Sequence, residues 1–290
     1  MKYLIICTLL AVFSSCKNPN NRQLLTFDQL NVKKDYRGLD SLPKDLNEVY
    51  KINLSRLCLK EVPKIVFKMV NLQELNISEN QLTTFENIDR LKNLQILSIA
   101  MNNFTVFPVG ITQLKHLKVL NIYWTDIKTL PKDFYNSNSI EELDMTSMFK
   151  FDFNTNLKFM HQLKNLKRLN LGNNQIPTLS LNFPLLNNLE EFGLIHQNRI
   201  NIKELLINLS KCKKLKTIHL SADNIKTVPD EIILLDSLTT LNLYENLIST
   251  LPIKMIAMKT LKEITLIDNP IDSLKLSSIE KRMPNTKIIY

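Results

Sequence analysis

The chain has 290 residues, enough for a large core or a long array of small units, and 44% of them are hydrophobic, which excludes a disordered tail. Its four glycines are scattered, whereas phosphate-binding loops need clustered glycines, so no nucleotide cofactor is expected. The cysteine and histidine spacings fit no zinc motif, so no metal site is expected. The net charge of +9 is compatible with nucleic acid or an anionic surface until the positions of the charges are considered.

Residues 1–15 are predicted to be a secretory signal peptide. They begin with a lysine at position 2, continue with an apolar run and end in small residues, "MKYLIICTLLAVFSS". The apolar run is too short to span a bilayer, which takes about 20 residues. The alternative at this point is ordinary signal-peptide cleavage, with the following cysteine, Cys16, having no special role.

The segment "FSSC" before and including Cys16 resembles the lipobox of bacterial lipoproteins. That resemblance implies cleavage just before Cys16 and attachment of a lipid, with acyl chains such as palmitate, to its sulfur. Residues 16–23 are polar and aperiodic, which predicts a tether. Lys17 is not the aspartate that retains many lipoproteins in an inner membrane. The expected location is therefore the bacterial cell envelope, anchored at the outer membrane, with the side left open.

The rest of the chain repeats itself. The copy "LQILSIAMNNFTVFP" starts at Leu94 and "LKVLNIYWTDIKTLP" starts at Leu117. Successive copies start 22, 23 or 26 residues apart. Ten units in register are not expected by chance, so the repeat has to be the basis of the fold. The ten units begin at Val49, Leu72, Leu94, Leu117, Ile140, Leu166, Leu189, Leu215, Leu238 and Leu261.

These units resemble the leucine-rich repeat family, in its 23-residue subtype with a Leu-Pro pair. The resemblance implies an α/β fold, a leucine-rich repeat solenoid shaped as a curved horseshoe, with a parallel concave β-sheet and short helical or irregular convex segments. It places an N-terminal cap at 24–48, ten repeats at 49–275 and a C-terminal cap at 276–290.

The alternating "LxLxx" part of each unit predicts a short strand with one inward face. Stacking of successive strands would bury the leucines in one continuous core that no single unit can form alone. Asparagine at position 9 is implied by the family to bind loop backbone that would otherwise be buried without partners. Five units have it and five do not. The position is occupied by Asn80, Asn102, Asn174, Asn246 and Asn269, and elsewhere by Leu57, Thr125, Met148, Gln197 and Asp223.

Two units of 26 residues contain insertions, which usually map to loops on one face of a repeat protein. In the segment 148–160, Phe151 and Phe153 are expected to fill core, while Phe149 is expected to protrude. The other insertion, at 198–214, contains a short helical pattern. Cys58 and Cys212 lie six units apart, too far for a disulfide.

Positions 2, 3, 5, 7 and 8 of each unit are predicted to face outward from the concave sheet. Units three and four place an apolar, aromatic cluster there, bordered by acidic residues of units two and five, as protein-binding hot spots are. The cluster comprises Ile96, Ala100, Met101, Val119, Tyr123 and Trp124. The alternatives are that these are simply good strand residues, or that the cap or a second copy packs on them. A smaller candidate site comprises Ile195, His196, Tyr244 and Ile267.

The charges of the predicted concave face argue against nucleic acid as a partner. Nucleic-acid readers concentrate lysine and arginine where phosphates lie, but here acidic residues outnumber basic ones. The basic residues are Lys51, Arg56, Lys118, Lys167, Arg168, Lys216 and Lys262, and the acidic ones are Glu74, Glu79, Glu141, Glu142, Asp144, Glu190, Glu191, Glu245, Glu263 and Asp268.

No catalytic residues are expected. The pairs His196 with Asp223 and His219 with Glu245 are conceivable acid–base pairs, but no nucleophile is in register and an open sheet excludes water poorly. The sequence predicts a non-enzymatic, membrane-anchored lipoprotein that binds a protein partner through its concave face. An envelope polysaccharide or peptidoglycan binder and a purely structural envelope protein are the alternatives.

Overall fold

A computed structural model of the chain describes residues 24–174, 176, 186–197 and 201–290. The predicted signal peptide, Cys16 and the tether at 16–23 therefore lie outside the described residues. Twelve three-residue strands form one open, wholly parallel sheet in chain order. They are β1 (Asp35–Arg37), β2 (Lys51–Asn53), β3 (Glu74–Asn76), β4 (Ile96–Ser98), β5 (Val119–Asn121), β6 (Glu142–Asp144), β7 (Arg168–Asn170), β8 (Glu191–Gly193), β9 (Thr217–His219), β10 (Thr240–Asn242), β11 (Glu263–Thr265) and β12 (Lys287–Ile289).

Strands β2 to β11 are positions 3 to 5 of the ten predicted units, which confirms the leucine-rich repeat solenoid. Each residue pairs with its equivalent in the next unit, as Leu97 does with Leu120. Equivalent side chains therefore form rows across the sheet, and we number each row by its position in the unit. Row 4 faces inward and is at most 2% exposed. It comprises Ile52, Leu75, Leu97, Leu120, Leu143, Leu169, Phe192, Ile218, Leu241 and Ile264.

Short helices connect the strands on the opposite side of the core, as predicted. The α-helices are α1 (Phe27–Asn31), α2 (Lys132–Tyr135), α3 (Phe153–Asn156), α4 (Ile202–Leu209) and α5 (Ser273–Glu280). Single-turn 3-10 helices occupy Leu46–Glu48, Lys64–Lys68, Ile88–Arg90, Val109–Gln113, Leu157–Gln162, Asp230–Leu234 and Ile253–Ala257. A proline at the Leu-Pro position of the repeat directly precedes four of these 3-10 helices and the helix α2, because its fixed φ suits a helix start and its missing N–H is not needed there. These prolines are Pro63, Pro108, Pro131, Pro229 and Pro252.

The position-9 asparagines bind loop backbone as the family resemblance implies. The side-chain oxygen of Asn102 accepts the Leu82 N–H at 3.0 Å. Its amide nitrogen donates to the carbonyl oxygens of Ile77, Ile99 and Ala100 at 2.9 to 3.1 Å. One buried amide thus satisfies backbone groups of two successive units. Asn80, Asn174, Asn246 and Asn269 do the same.

Units without that asparagine compensate in different ways. Met148 and Leu57 have no side-chain amide that could make these bonds. The Met148 sulfur instead lies 3.2 Å from the Thr125 hydroxyl, and that hydroxyl also lies 3.0 Å from the Ile122 carbonyl oxygen. Leu57 is 43% exposed, and its backbone N–H donates to the side-chain oxygen of Asn80 at 3.0 Å. The Asp223 carboxylate accepts the backbone N–H of Gln197 at 2.5 Å.

The insertions pack as the sequence indicates. Phe151 and Phe153 are buried, with ring centroids 4.8 Å apart, whereas Phe149 is half exposed. The helical pattern of 198–214 is the helix α4. Cys58 is exposed, Cys212 is buried, and no disulfide links the two.

Both ends of the array extend the sheet. The region 24–48 contains α1 and β1, and β12 pairs with the last repeat strand. Helix α5 starts at Ser273, within the segment assigned to the last repeat, and continues into 276–290. None of the helices in the described part of the chain is long and apolar enough to cross a membrane.

Candidate partner-binding site

The sheet face predicted to be concave, which we call the open face, is partly covered at row 2. The backbone N–H of Leu25 donates to the Gln73 side-chain oxygen at 3.0 Å, and the Gln95 amide donates to the Leu25 carbonyl at 2.8 Å. Both glutamines are 2% exposed. The expectation that row 2 faces solvent is therefore wrong in units two and three, because the N-terminal segment lies across it. The ammonium of Lys118 in unit four lies 5.0 Å from the centre of the Phe27 ring.

At row 8 the chain leaves the sheet, and the residue there has a left-handed backbone conformation. All ten units have a positive φ there, between 51° and 62°. Non-glycine residues seldom adopt this conformation, and elsewhere such strain often marks a functional site. Here it is a property of the repeat, so the φ of 51° at Trp124 is not by itself a sign of function. The ten residues are Arg56, Glu79, Met101, Trp124, Ser147, Asn173, His196, Ala222, Glu245 and Asp268.

Trp124 lies on the surface, as predicted, with half of its side chain exposed. Its ring centroid is 5.9 Å from that of Tyr123 and 6.1 Å from that of Phe149, both edge-to-face. Met101, one unit back in the same row, is 38% exposed. We call Met101, Tyr123, Trp124 and Phe149 the aromatic patch.

The other members of the predicted cluster lie deeper. Ile96 and Val119 pair with each other across β4 and β5 and are partly buried. Ala100 is only 3% exposed, so its assignment to the exposed cluster is wrong. Phe149 was predicted only to protrude. Sequence alone could not join it to Trp124, because the fold of the insertion determines that contact.

Beside the aromatic patch the open face contains a hollow of about 290 Å³. Sequence reasoning missed it, although glycine at two outward positions of neighbouring units was a usable signal. Gly172 is in row 7 and Gly193 is in row 5. The hollow reaches from Val119 and Asn121, next to the patch, across β6 and β7 to Ile195 and His219.

Polar residues in row 5 have a structural role as well. Asn121 accepts the backbone N–H of Tyr123 at 2.9 Å, and Asp144 accepts that of Thr146 at 2.9 Å. Each bond satisfies the backbone where the strand ends, which accounts for the polar row without any ligand. Asn53, Asn76, Asn170 and Asn242 make the same contact.

Most charges of the open face neutralise one another. The pairs are Lys51 with Glu74, Arg56 with Glu79, Lys118 and Lys167 with Glu141, Arg168 with Glu142, Lys216 with Glu190, His219 with Glu191, and Lys287 with Glu263. Of the ten acidic residues counted on this face, three form no ion pair with the described residues: Asp144, Glu245 and Asp268. The unpaired negative charge of the open face is thus concentrated at these three residues.

The smaller predicted site is spread out. Ile195 lines the hollow, and His196 is exposed beside it. Tyr244 and Ile267 are 38% and 41% exposed, two and three units further on. A hydrogen bond to the Asp268 carboxylate raises the pKa of Tyr244. Unit eight separates the two halves, so the structure does not join them into one patch.

The conceivable acid–base pairs are not formed in the described residues. His219 contacts Glu191, at 3.2 Å, and not Glu245. Asp223 is 5% exposed, bound to the Gln197 backbone, whereas His196 faces solvent. No group of three or more potential metal ligands occurs within the described ranges.

Comparison with known proteins agrees with this geometry. A family model described as "Leucine rich repeat" matches residues 213–280, and a second, "Leucine Rich Repeat", matches residues 71–91. The LRRC8D subunit of a volume-regulated anion channel from Rattus norvegicus is 33% identical over 96 residues, which are 32% of this chain and 11% of that protein. The chain thus matches only a small part of this much longer relative.

Two solved structures share the architecture. A leucine-rich repeat protein of Leptospira interrogans aligns with a TM-score of 0.52 and 23% identity, covering 92% of each chain. TLR13, solved in complex with a single-stranded RNA, aligns with a TM-score of 0.61 and 17% identity, over 84% of this chain and 44% of TLR13. At these identities the likeness shows the fold alone. Together with the repeat geometry and the family matches, it shows that the described residues form a leucine-rich repeat solenoid.

Proposed function

We propose that the protein is a non-enzymatic, lipid-anchored component of a bacterial cell envelope that binds a protein partner on its open face. The observation that carries the proposal is the aromatic patch. A tryptophan that is half exposed and held edge-to-face between a tyrosine and a phenylalanine presents a large, rigid apolar surface. Such surfaces are typical of interface hot spots.

The described part of the N-terminal segment, from residue 24, does not cover the patch. It lies over row 2 of units two and three, whereas the patch lies at rows 7 and 8 and in the insertion. Good strand-forming character does not account for Trp124 either, because Trp124 follows strand β5 and is in a left-handed conformation. These two facts favour a partner over the alternatives of cap packing and strand propensity.

Nucleic acid is the less favoured partner, although TLR13 was solved with RNA. The lysines and arginines of rows 2 and 3 are mostly paired with glutamates of the neighbouring strands. A phosphate backbone needs cations that are available to it. A glycan is the second candidate, since exposed aromatic rings also stack on sugars, and the test below separates the two.

The test replaces Trp124 by asparagine. Asparagine tolerates a positive φ, and Asn173 occupies the equivalent place in unit six with a φ of 55°. Trp124→Asn therefore removes the indole without straining the backbone. We expect capture of protein partners from envelope extract to fall about 30-fold in affinity, as for a truncated hot spot. Leu274→Ser, at an 85% exposed leucine in α5, is the matched control and should bind as the wild type does.

Fluorescence gives a second readout, because Trp124 is the single tryptophan of the chain. Covering the patch should shift its emission to the blue. Unchanged protein binding by Trp124→Asn, with no emission shift on adding the captured partner, would contradict the proposal. Loss of binding to purified peptidoglycan or polysaccharide, with every protein interaction retained, would favour the glycan alternative.

Membrane anchoring is a separate part of the proposal and rests on the lipobox resemblance at Cys16. Mass spectrometry of the mature N-terminal peptide should find a chain that begins at Cys16 and carries acyl lipid. Cys16→Ala should release the protein from membranes, because the lipid supplies the hydrophobic attachment. A mature chain that begins elsewhere, or an unmodified Cys16, would refute this part and leave the binding site unaffected.

A further inference from the structure

Two glycines shape the hollow: Gly193 lines it, and Gly172 packs against Ile195, which also lines it. A Cβ on Gly193 would lie 2.8 Å from the Asn170 side-chain oxygen, and one on Gly172 would lie 3.3 Å from Ile195. Glycine at these positions therefore creates the depression and lets the Asn170 amide lie across it. At about 30 Å³ for each water molecule, 290 Å³ is room for roughly ten waters, or one extended side chain.

One carboxylate in the lining of the hollow has no lysine, arginine or histidine partner among the described residues. Glu142 is paired with Arg168, and Glu191 lies 3.2 Å from His219. Asp144 lies two residues after Glu142, in the row 5 position of β6. One of its oxygens accepts the Thr146 N–H, and no described lysine, arginine or histidine forms an ion pair with the carboxylate. A partly buried, uncompensated carboxylate in a depression favours a cationic ligand.

The neighbours of Asp144 add further acceptors. The register places Asn121 on one side of it and Asn170 on the other, both in row 5. Amide oxygens flanking a carboxylate suit the several N–H donors of a planar guanidinium better than the compact ammonium of lysine. The aromatic patch begins two residues beyond Asn121, at Tyr123, so one ligand can reach both places.

We propose that the hollow binds an arginine side chain of the same protein partner that covers the aromatic patch. This rests on the proposed function and specifies the chemistry of the partner. The guanidinium donates to Asp144, while the apolar neighbours of that arginine lie on Trp124. The partner is therefore a protein segment with an arginine close to an apolar or aromatic residue.

The test uses a small probe, so it does not depend on finding the partner. N-acetyl-arginine methylamide at millimolar concentration is titrated into ¹⁵N-labelled protein, and N-acetyl-citrulline methylamide, which is isosteric and uncharged, is the control ligand. The backbone amide of Gly193 reports on the lining of the hollow, and that of Gly172 reports on Asn170, a lining residue to which it donates at 3.1 Å. Gly38 and Gly110 lie outside the lining. We expect the arginine probe alone to shift Gly172 and Gly193, with Gly38 and Gly110 unchanged.

A charge variant then assigns the effect to one residue. Asp144→Asn keeps the backbone bond, since five sister units hold the same bond with asparagine, so the variant is expected to fold. It should lose at least about tenfold in affinity for the arginine probe, as expected for removal of a charge-assisted hydrogen bond. Glu245→Gln removes an equally unpaired acidic residue outside the hollow and should leave the titration unchanged.

Other results overturn the inference. Equal shifts with the citrulline probe, shifts that persist in Asp144→Asn, or no shift of Gly193 would each show that the hollow is not an arginine site. Shifts of Gly172 and Gly193 with a neutral oligosaccharide but not with the arginine probe would assign it to a glycan. In all of these cases the Trp124→Asn capture experiment is judged independently, so the proposed function can stand while this inference fails.

Discussion

Asp223 stands at position 9, where five other units have asparagine, and differs from it in having a carboxylate oxygen in place of the amide nitrogen. The position-9 asparagines donate their amide hydrogens to backbone carbonyls of their own unit and of the preceding unit, as Asn246 does to Leu243 and Leu220. A carboxylate has no hydrogen to donate, and the second oxygen of Asp223 is buried with no hydrogen-bond partner. Burial raises the pKa of Asp223 to about 7. When it is protonated, the Asp223 carboxyl has a hydrogen to donate, as the asparagine amide has at this position in other units.

This predicts that the protein is less stable at high pH. Because the folded-state pKa lies above the ordinary 3.8, the stabilising proton is fully bound below about pH 4 and is lost as the pH rises through about 7. Stability therefore falls between about pH 4 and pH 7 at about 1.4 kcal/mol for each pH unit, by at most about 4 kcal/mol in all, and stays at the lower value above pH 7. Asp223→Asn should therefore raise the melting temperature at pH 8 and change it little at pH 4.

The reverse substitution is the matched control. Asn246→Asp creates a second buried carboxyl at the same repeat position and should make melting more pH-dependent than in the wild type. Identical melting curves of Asp223→Asn and wild type at pH 8 would contradict this prediction, because they would show that ionisation of Asp223 does not lower the stability of the folded protein.

At the scale of elements, each short strand owes its position to the loop that follows it. Three-residue strands are too short to be stable alone, and in five of the ten units the position-9 asparagine joins the loop to the loop of the preceding unit. The Asn102 side chain makes four hydrogen bonds to backbone while only 5% exposed. Removing it leaves several buried backbone groups without partners.

We expect Asn102→Ala to lower the free energy of unfolding by about 3 kcal/mol, since each unsatisfied buried group costs about 1 to 3 kcal/mol. Denaturant titration measures this directly. Asn103→Ala, at the exposed neighbouring asparagine, should change stability by less than about 0.5 kcal/mol. A loss below 1 kcal/mol for Asn102→Ala would mean that water replaces the amide in the ladder.

At the scale of the whole molecule, every strand contacts only the strands before and after it. Repeat arrays of this kind gain stability from neighbouring units and little from distant ones. Stability is therefore expected to vary along the chain, with the effects of a core substitution confined to the units around it.

Hydrogen exchange can test this locality. Leu241→Ala in β10 creates a cavity at a fully buried leucine, which typically costs about 3 to 5 kcal/mol. Backbone amides of β9, β10 and β11 should lose protection, while those of β2, β3 and β4 keep theirs. A uniform loss across the sheet would show that the array unfolds as a single cooperative unit.

The sequence by itself was sufficient to predict the repeat, its strands and their inward-facing leucines. The period of 22 to 26 residues and the alternation of apolar and other residues within each unit can be read directly from the residue order. It also placed Trp124 on the surface, since position 8 follows the strand in every unit. These features are local to one unit and are copied from unit to unit, so the pattern determines them.

Only the tertiary structure decided what lies against these units. The burial of Gln73 and Gln95 depends on an N-terminal segment that is distant in sequence and crosses them. The contact of Phe149 with Trp124 depends on how an irregular insertion folds, and the hollow depends on the strand register that places Gly193 beside Asn170. Such contacts join residues outside the repeat pattern, and their geometry is determined by packing rather than by sequence period.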